Sequence, residues 1–228
     1  MFCPRRTYTR SEVALLKSEK IARKELVEYG RLLYERRLTF GTAGNLSARI
    51  GKDRMLITPS GACKGRLNET DLVKMSISEG KAIGAGKPSI EVPFHSAFYK
   101  RREDVAAVIH THPLCCTALA VAGISLKTAL TPEGVLVLGN VPLVPYETPG
   151  TEKLASRLIE SMGDANAFLL ERHGAITVGK DLAEAFHRME TLEFAAALQM
   201  KSAGIGGTEE LTRKEVSKIL SPLGRQKQ

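Results

Sequence analysis

Four of the five histidines fall in three short segments whose residue types could build a metal centre beside a carboxylate. The segments are Glu91-Val-Pro-Phe-His95, His110-Thr-His112 and Glu171-Arg-His173-Gly174. On a strand, side chains two apart share a face, so His110 and His112 would lie about 6–7 Å apart at Cβ. Two neutral imidazoles so placed can converge on one zinc ion, although an ordinary histidine pair has the same spacing. Pro113 stops the strand and puts the pair at its end. His173 would occupy a turn between two apolar strands, with Gly174 permitting close backbone approach. The plain alternative for His173 is a loop histidine capping a strand end. Three histidine ligands leave a coordination position open, as a catalytic zinc requires.

Glu91 follows Pro88-Ser89 at the start of a helix. There a carboxylate is either a partner of the helix dipole or a base that moves protons beside the metal. His95 stands one turn later on the same face and is expected to support Glu91 rather than ligate; a core histidine is the alternative. His187, amid Glu184, Arg188 and Glu190, reads as helix surface. Cys115 and Cys116 read as packing residues, with Cys115 a minor alternative ligand. The chemistry is that of a divalent metal, zinc foremost, next to an acid/base. It points to a lyase rather than a binding module.

Two small-residue loops, Gly41-Thr-Ala-Gly-Asn45 and Thr58-Pro-Ser-Gly61, could surround an anion with backbone N–H groups, and Ser89 would add a third element. Each alone is an ordinary turn; beside a metal site, the three together point to phosphate.

Bulk properties narrow the class. The formal net charge is +8, but the basic residues are scattered, aromatics are 5% and Trp is absent, so no nucleic-acid partner is expected. A basic surface that attracts anionic substrates accounts for the charge. No run of about 18 apolar residues offers a membrane span, and the N-terminus lacks the apolar core of a secretory signal. Four cysteines without a C-x-x-C pair fit a reducing cytoplasm. No linker or repeat divides the chain, so residues 1–228 are expected to form one catalytic domain, with about ten N-terminal and about twenty C-terminal residues peripheral.

The elements that must position these groups follow from periodicity. Helices are expected over residues 11–38, capped by Ser11, and over 91–102, 113–121, 151–162, 181–203 and 209–220. Strands are expected over 45–50 and 54–58 as a hairpin, and over 105–110, 135–138, 141–144, 167–170 and 175–178. A strand-rich middle between helices implies a layered α/β domain, and the hairpins argue against a purely parallel sheet.

In order, the chain carries Gly41-Thr-Ala-Gly-Asn-Leu-Ser, Ile57-Thr-Pro-Ser-Gly, Lys87-Pro-Ser-Ile-Glu-Val-Pro-Phe-His, His110-Thr-His-Pro and Arg172-His-Gly-Ala-Ile. Together these resemble the class II aldolase/adducin-head family, and within it the L-fuculose-1-phosphate aldolase branch. The resemblance runs from about residue 21 to about residue 203. It implies a three-layer α/β/α fold around a mainly antiparallel sheet, assembled as a homotetramer with active sites between subunits. It implies one Zn2+ per subunit on His110, His112 and His173. Glu91 would be the acid/base and could also ligate the resting metal. It further implies a phosphate site at Asn45, Ser60, Gly61 and Ser89, with Gly44 shaping the loop.

The activity so implied is reversible cleavage of a ketose 1-phosphate to dihydroxyacetone phosphate and a short aldehyde through a metal-stabilised enediolate. The alternatives are sibling activities on the same scaffold: decarboxylation of a 3-oxo acid phosphate, dehydration, or 4-epimerisation of a ribulose phosphate. A metal-free adducin-like interaction module ranks below these, because all three candidate ligands and Glu91 are retained. Three positions depart from the aldolase pattern. Ile90 stands where a second phosphate-pocket Ser is usual. The Tyr that donates a proton from the neighbouring subunit in that branch falls near Thr131, where Glu133 is the nearest carboxylate, and no Tyr follows Tyr146.

Overall fold

The protein is described by a computed structural model covering the backbone of residues 10–225 and the side chains of residues 18–221. A seven-stranded sheet lies at its centre. The strands are β1 (Asn45–Gly51), β2 (Arg54–Ile57), β3 (Val73–Ser76), β4 (Ala107–Thr111), β5 (Leu143–Val144), β6 (Ala167–Leu170) and β7 (Gly174–Gly179). Their spatial order is β3-β2-β1-β4-β7-β6-β5. Every neighbouring pair is antiparallel except β5 with β6.

Both faces are covered, which makes the three layers. On one side lie α1 (Arg10–Glu35), α3 (Leu114–Ala122) and α5 (Leu182–Gly204), packed on Leu46, Ala48, Ile109 and Leu169. On the other lie α2 (Val92–Arg101) and α4 (Glu152–Met162), packed on Ile57, Val108, Phe168 and Ile176. A last helix, α6, spans Arg213–Arg225. Because the sheet is covered twice, β4, β6 and β7 are buried at every position, so their sequences run apolar without alternating. Alternation decides only which layer each residue meets. Leu46 and Ala48 face α1, which leaves Asn45 and Ser47 toward α2; Ile109 faces α1, which leaves His110 toward α2.

Several local expectations are corrected. Residues 135–138 are not a strand but part of a π-helical turn, Gly134–Leu138, with Val135 and Leu138 buried and Leu136 exposed. A short apolar run does not distinguish the two, and here burial follows a helical spacing. Ser11 lies inside α1 rather than capping it, and α1 ends at Glu35. Residues 141–144 contribute only Leu143–Val144 to the sheet. β3 and the 3-10 turns Lys64–Arg66 and Glu69–Asp71 had no sequence expectation.

Candidate metal and acid–base site

The antiparallel register builds the site. β1 pairs with β4 so that Asn45 faces His110, and β4 pairs with β7 so that His110 faces Ile176. The β6–β7 turn, where Arg172 adopts φ 55°, delivers His173 next to the end of β4. His112 lies one residue past β4 yet stays on the same side as His110. Potential ligand atoms of His110, His112 and His173 all lie within 4.8 Å of one another. Two glycines make this crowding possible. A Cβ on Gly174 would sit 2.5 Å from the His112 ring, and one on Gly44 would sit 2.5 Å from the His110 carbonyl oxygen.

The chemistry of the three rings fits a metal. His110 donates its Nδ1–H to the Ala175 carbonyl at 2.9 Å, which leaves the Nε2 lone pair facing the cluster. That Nε2 is 3.1 Å from His112 Nε2. Burial, then the neighbouring imidazole, pushes His110 and His173 down to about 3, and burial lowers His112 as well. All three are therefore neutral, the form that ligates. Glu91, at the N-cap of α2 and 5% exposed, closes the group. Its Oε2 is 3.3 Å from His110 Nε2 and its Oε1 is 3.5 Å from His173 Nε2. Glu91 Oε1 and His173 Nδ1 are buried without a hydrogen-bond partner. A buried oxygen left without a donor beside three neutral nitrogens is what a divalent cation would satisfy. His110, His112 and His173 could thus hold a divalent metal, with Glu91 at its edge.

A buried hydrogen-bond chain positions Glu91 from behind. Asn45 Nδ2 donates to Glu91 Oε2 at 2.7 Å, and Asn45 Oδ1 accepts from His95 Nε2 at 2.5 Å. His95 Nδ1 accepts from Ser47 Oγ at 2.7 Å, and Ser47 Oγ accepts from Tyr99 Oη at 2.7 Å. These directions are mutually consistent only for a neutral His95, and burial holds its pKa well below the ordinary value. Phe94 stacks on His95 at 4.6 Å and meets His110 edge-on at 5.6 Å. His95 thus reaches Glu91 through Asn45 rather than directly. Sequence reasoning missed Ser47 and Tyr99, although both carried a signal: Ser47 is two residues from Asn45 on a strand, and Tyr99 is one helical turn from His95.

The small-residue loops converge beside this centre. Pro59 bridges Pro88, Ser60 N–H donates to the Lys87 carbonyl at 3.0 Å, and Ser89 N–H donates to the Thr58 carbonyl at 3.2 Å. Ser60 and Gly61 are exposed; Ser89 is buried and its Oγ accepts from the Glu91 N–H at 3.2 Å. Asn45, assigned to phosphate by resemblance, spends its side chain on Glu91 and His95 here. Lys64, absent from the sequence expectations, is 1% exposed between the Thr42 and Ala62 carbonyls. Glu133 is exposed at the start of the π-helical turn, and among the described residues it makes no hydrogen bond or ion pair with the triad. His187 is exposed on α5, as expected; Cys116 is buried and the half-buried Cys115 packs against the same core, away from the ligand group.

A three-layer α/β/α fold with three converging histidines and one buried glutamate defines a class of metal-dependent enzymes. The family model for the class II aldolase and adducin N-terminal domain matches residues 24–200, and the chain belongs to that family. It is 39% identical over 189 residues to 3-oxo-tetronate 4-phosphate decarboxylase of Pectobacterium atrosepticum, covering 81% of this chain and 86% of that one. It is 35% identical over 178 residues to L-fuculose phosphate aldolase of Methanocaldococcus jannaschii, covering 78% and 95%. Among solved structures it resembles YgbL of Escherichia coli, for which aldolase, epimerase and decarboxylase are candidate activities. That match has TM-score 0.81 and 35% identity, covering 89% of this chain and 99% of that one. No helix among the described residues is long and apolar enough to cross a membrane.

Proposed function

We propose that this chain is a metal-dependent lyase that decarboxylates a short 3-oxo sugar-acid phosphate of the 3-oxo-tetronate 4-phosphate type. The expected cleavage of a ketose 1-phosphate becomes the second reading. The observation that carries the choice is that the tyrosine positions of the aldolase pattern are unfilled, with Thr131 at one and no Tyr after Tyr146. Retro-aldol cleavage needs a second group to take the proton from the C4 hydroxyl as the C3–C4 bond breaks. Decarboxylation needs no such group, because the carboxylate has already lost its proton. Greater identity to the curated decarboxylase than to the curated aldolase supports the same choice.

His110, His112 and His173 would hold the metal, by our reading zinc, which when bound acts as a Lewis acid on the substrate carbonyl and the adjacent hydroxyl. The C1–C2 bond breaks, carbon dioxide leaves, and the electron pair stays on C2, conjugated with the C3 carbonyl. Glu91, held by Asn45, delivers a proton to C2 and regains one from solvent. The loops at residues 41–45, 60–61 and 89 bind the phosphate and fix the C1–C2 bond beside Glu91. By the same reading the enzyme is a cytoplasmic homotetramer, with exposed Phe40, Leu114 and Phe194 giving it apolar surface to bury.

The test is a substrate panel with metal-loaded enzyme, following carbon dioxide, aldehyde and epimer together. Carbon dioxide and dihydroxyacetone phosphate in equal amounts, with no aldehyde, are expected from 3-oxo-tetronate 4-phosphate. Aldehyde release from a ketose 1-phosphate, without decarboxylation of the oxo acid, would restore the aldolase reading.

A further inference from the structure

Lys64 is one of the largest fully buried side chains in the molecule, at 1% exposure. Its Nζ donates to the carbonyls of Thr42 and Ala62, each at 2.7 Å, and no carboxylate among the described residues pairs with it. A buried ammonium held only by two neutral carbonyls is incompletely compensated. Its position is enforced. A Cβ on Gly30 would lie 2.9 Å from the Lys64 carbonyl oxygen, and one on Gly65 would lie 2.7 Å from the Tyr34 ring. Two glycines therefore let α1 press directly on the 3-10 turn Lys64–Arg66.

The two carbonyls come from different loops. Thr42 belongs to the loop that ends at Asn45, and Ala62 follows the Ser60-Gly61 turn. Gly44 and Gly61 both have φ of 74°, so each loop is bent by a left-handed residue. The ammonium ties the loops together and sets a positive charge behind the space between them. Burial pulls the Lys64 ammonium down to about 8, opposed by the Glu91 charge, so it still carries its proton at pH 7.

We propose that Lys64 is a specificity-determining positioning residue. It holds the two loops face to face through Thr42 and Ala62, and its charge makes the space between them select a phosphate dianion over a carboxylate or a neutral group. This rests on the phosphate placement given under the proposed function, and it supplies attraction where Ile90 removes a hydroxyl.

The test measures inorganic phosphate binding by calorimetry, with acetate and glycerol as controls, on wild type and Lys64→Gln. Gln carries no charge, and its shorter side chain with an amide N–H keeps part of the tie to the two carbonyls. Phosphate affinity is expected to fall at least about tenfold in Lys64→Gln, with metal content unchanged and acetate binding no weaker. Lys64→Met, which also loses the tie between loops, should lose phosphate binding too and melt lower. Equal phosphate affinity in wild type and Lys64→Gln would overturn the proposal, as would an equal loss of acetate binding. Should the variants fail to fold, the Lys64 side-chain carbon resonance of wild type must move with phosphate and not with glycerol; an unmoved resonance overturns the assignment. Because no turnover is read, phosphate binding that depends on Lys64 in a protein without decarboxylase activity would sink the activity alone.

Discussion

Replacing Ser47 by alanine removes one hydroxyl that serves two buried partners. Ser47 is 0% exposed; its Oγ donates to His95 Nδ1 and accepts from Tyr99 Oη, both at 2.7 Å. His95 is also 0% exposed and Tyr99 3% exposed, so water does not readily replace what is lost. Each orphaned polar group costs about 1–3 kcal/mol, and Tyr99 keeps a contact to the Val108 backbone, so the total is about 2–4 kcal/mol. For a chain of this size, that corresponds to a melting point lower by about 6–12 °C. Thermal and urea denaturation of the metal-free protein measure it. Tyr99→Phe, which removes a single donor, should cost about 1 kcal/mol. Turnover should fall in Ser47→Ala with metal content unchanged, because His95 and Asn45 no longer fix Glu91. A Ser47→Ala protein as stable as wild type, or no less stable than Tyr99→Phe, would refute the buried chain.

Glu91→Gln should keep its metal and lose turnover by about 100-fold or more, whereas His110→Ala should lose the metal itself; elemental analysis beside kinetics separates the two. Gly44→Ala should destabilise by more than about 2 kcal/mol, since a Cβ there meets the His110 carbonyl and φ is positive, while Gly41→Ala, with open space, should cost about 1 kcal/mol. Metal-free protein should lose stability on acidification. The folded His110 and His173 titrate near 3 and the unfolded side chains near 6.5, so below pH 6.5 the unfolded chain takes up protons that the native one refuses. Each contributes up to about 1.4 kcal/mol per pH unit, flattening toward pH 3; urea midpoints independent of pH between about 7 and 5 would contradict this.

The candidate metal ligands were legible because ligation demands particular atoms. His110 and His112 share a face by strand period, and a third histidine beside a glycine turn has few plain roles. Glu91 and His95 were legible as a pair on one helix face, but not the Asn45 that joins them, since that contact spans 46 residues of chain. Lys64 was illegible for a different reason: one lysine among 33 basic residues carries no sign of burial. The π-helical turn at Gly134–Leu138 was misread because four apolar residues in a row fit either period. The sequence motifs did not separate the proposed decarboxylase from an aldolase, because the same histidines and glutamate serve either reading.

The sequence by itself determined the layered α/β class, the three imidazoles and the candidate glutamate beside them, because periodicity and side-chain chemistry are local properties. Only the tertiary structure decided what they touch. The antiparallel register of β1 with β4 sets Asn45 opposite His110, and α2 then lowers Glu91 and His95 onto that pair. A shift of one residue in that register would turn Asn45 and Ser47 to the other face of the sheet and leave Glu91 without support. The positions of Ser47, Tyr99 and Lys64 come from packing between segments far apart in the chain, which no local pattern encodes.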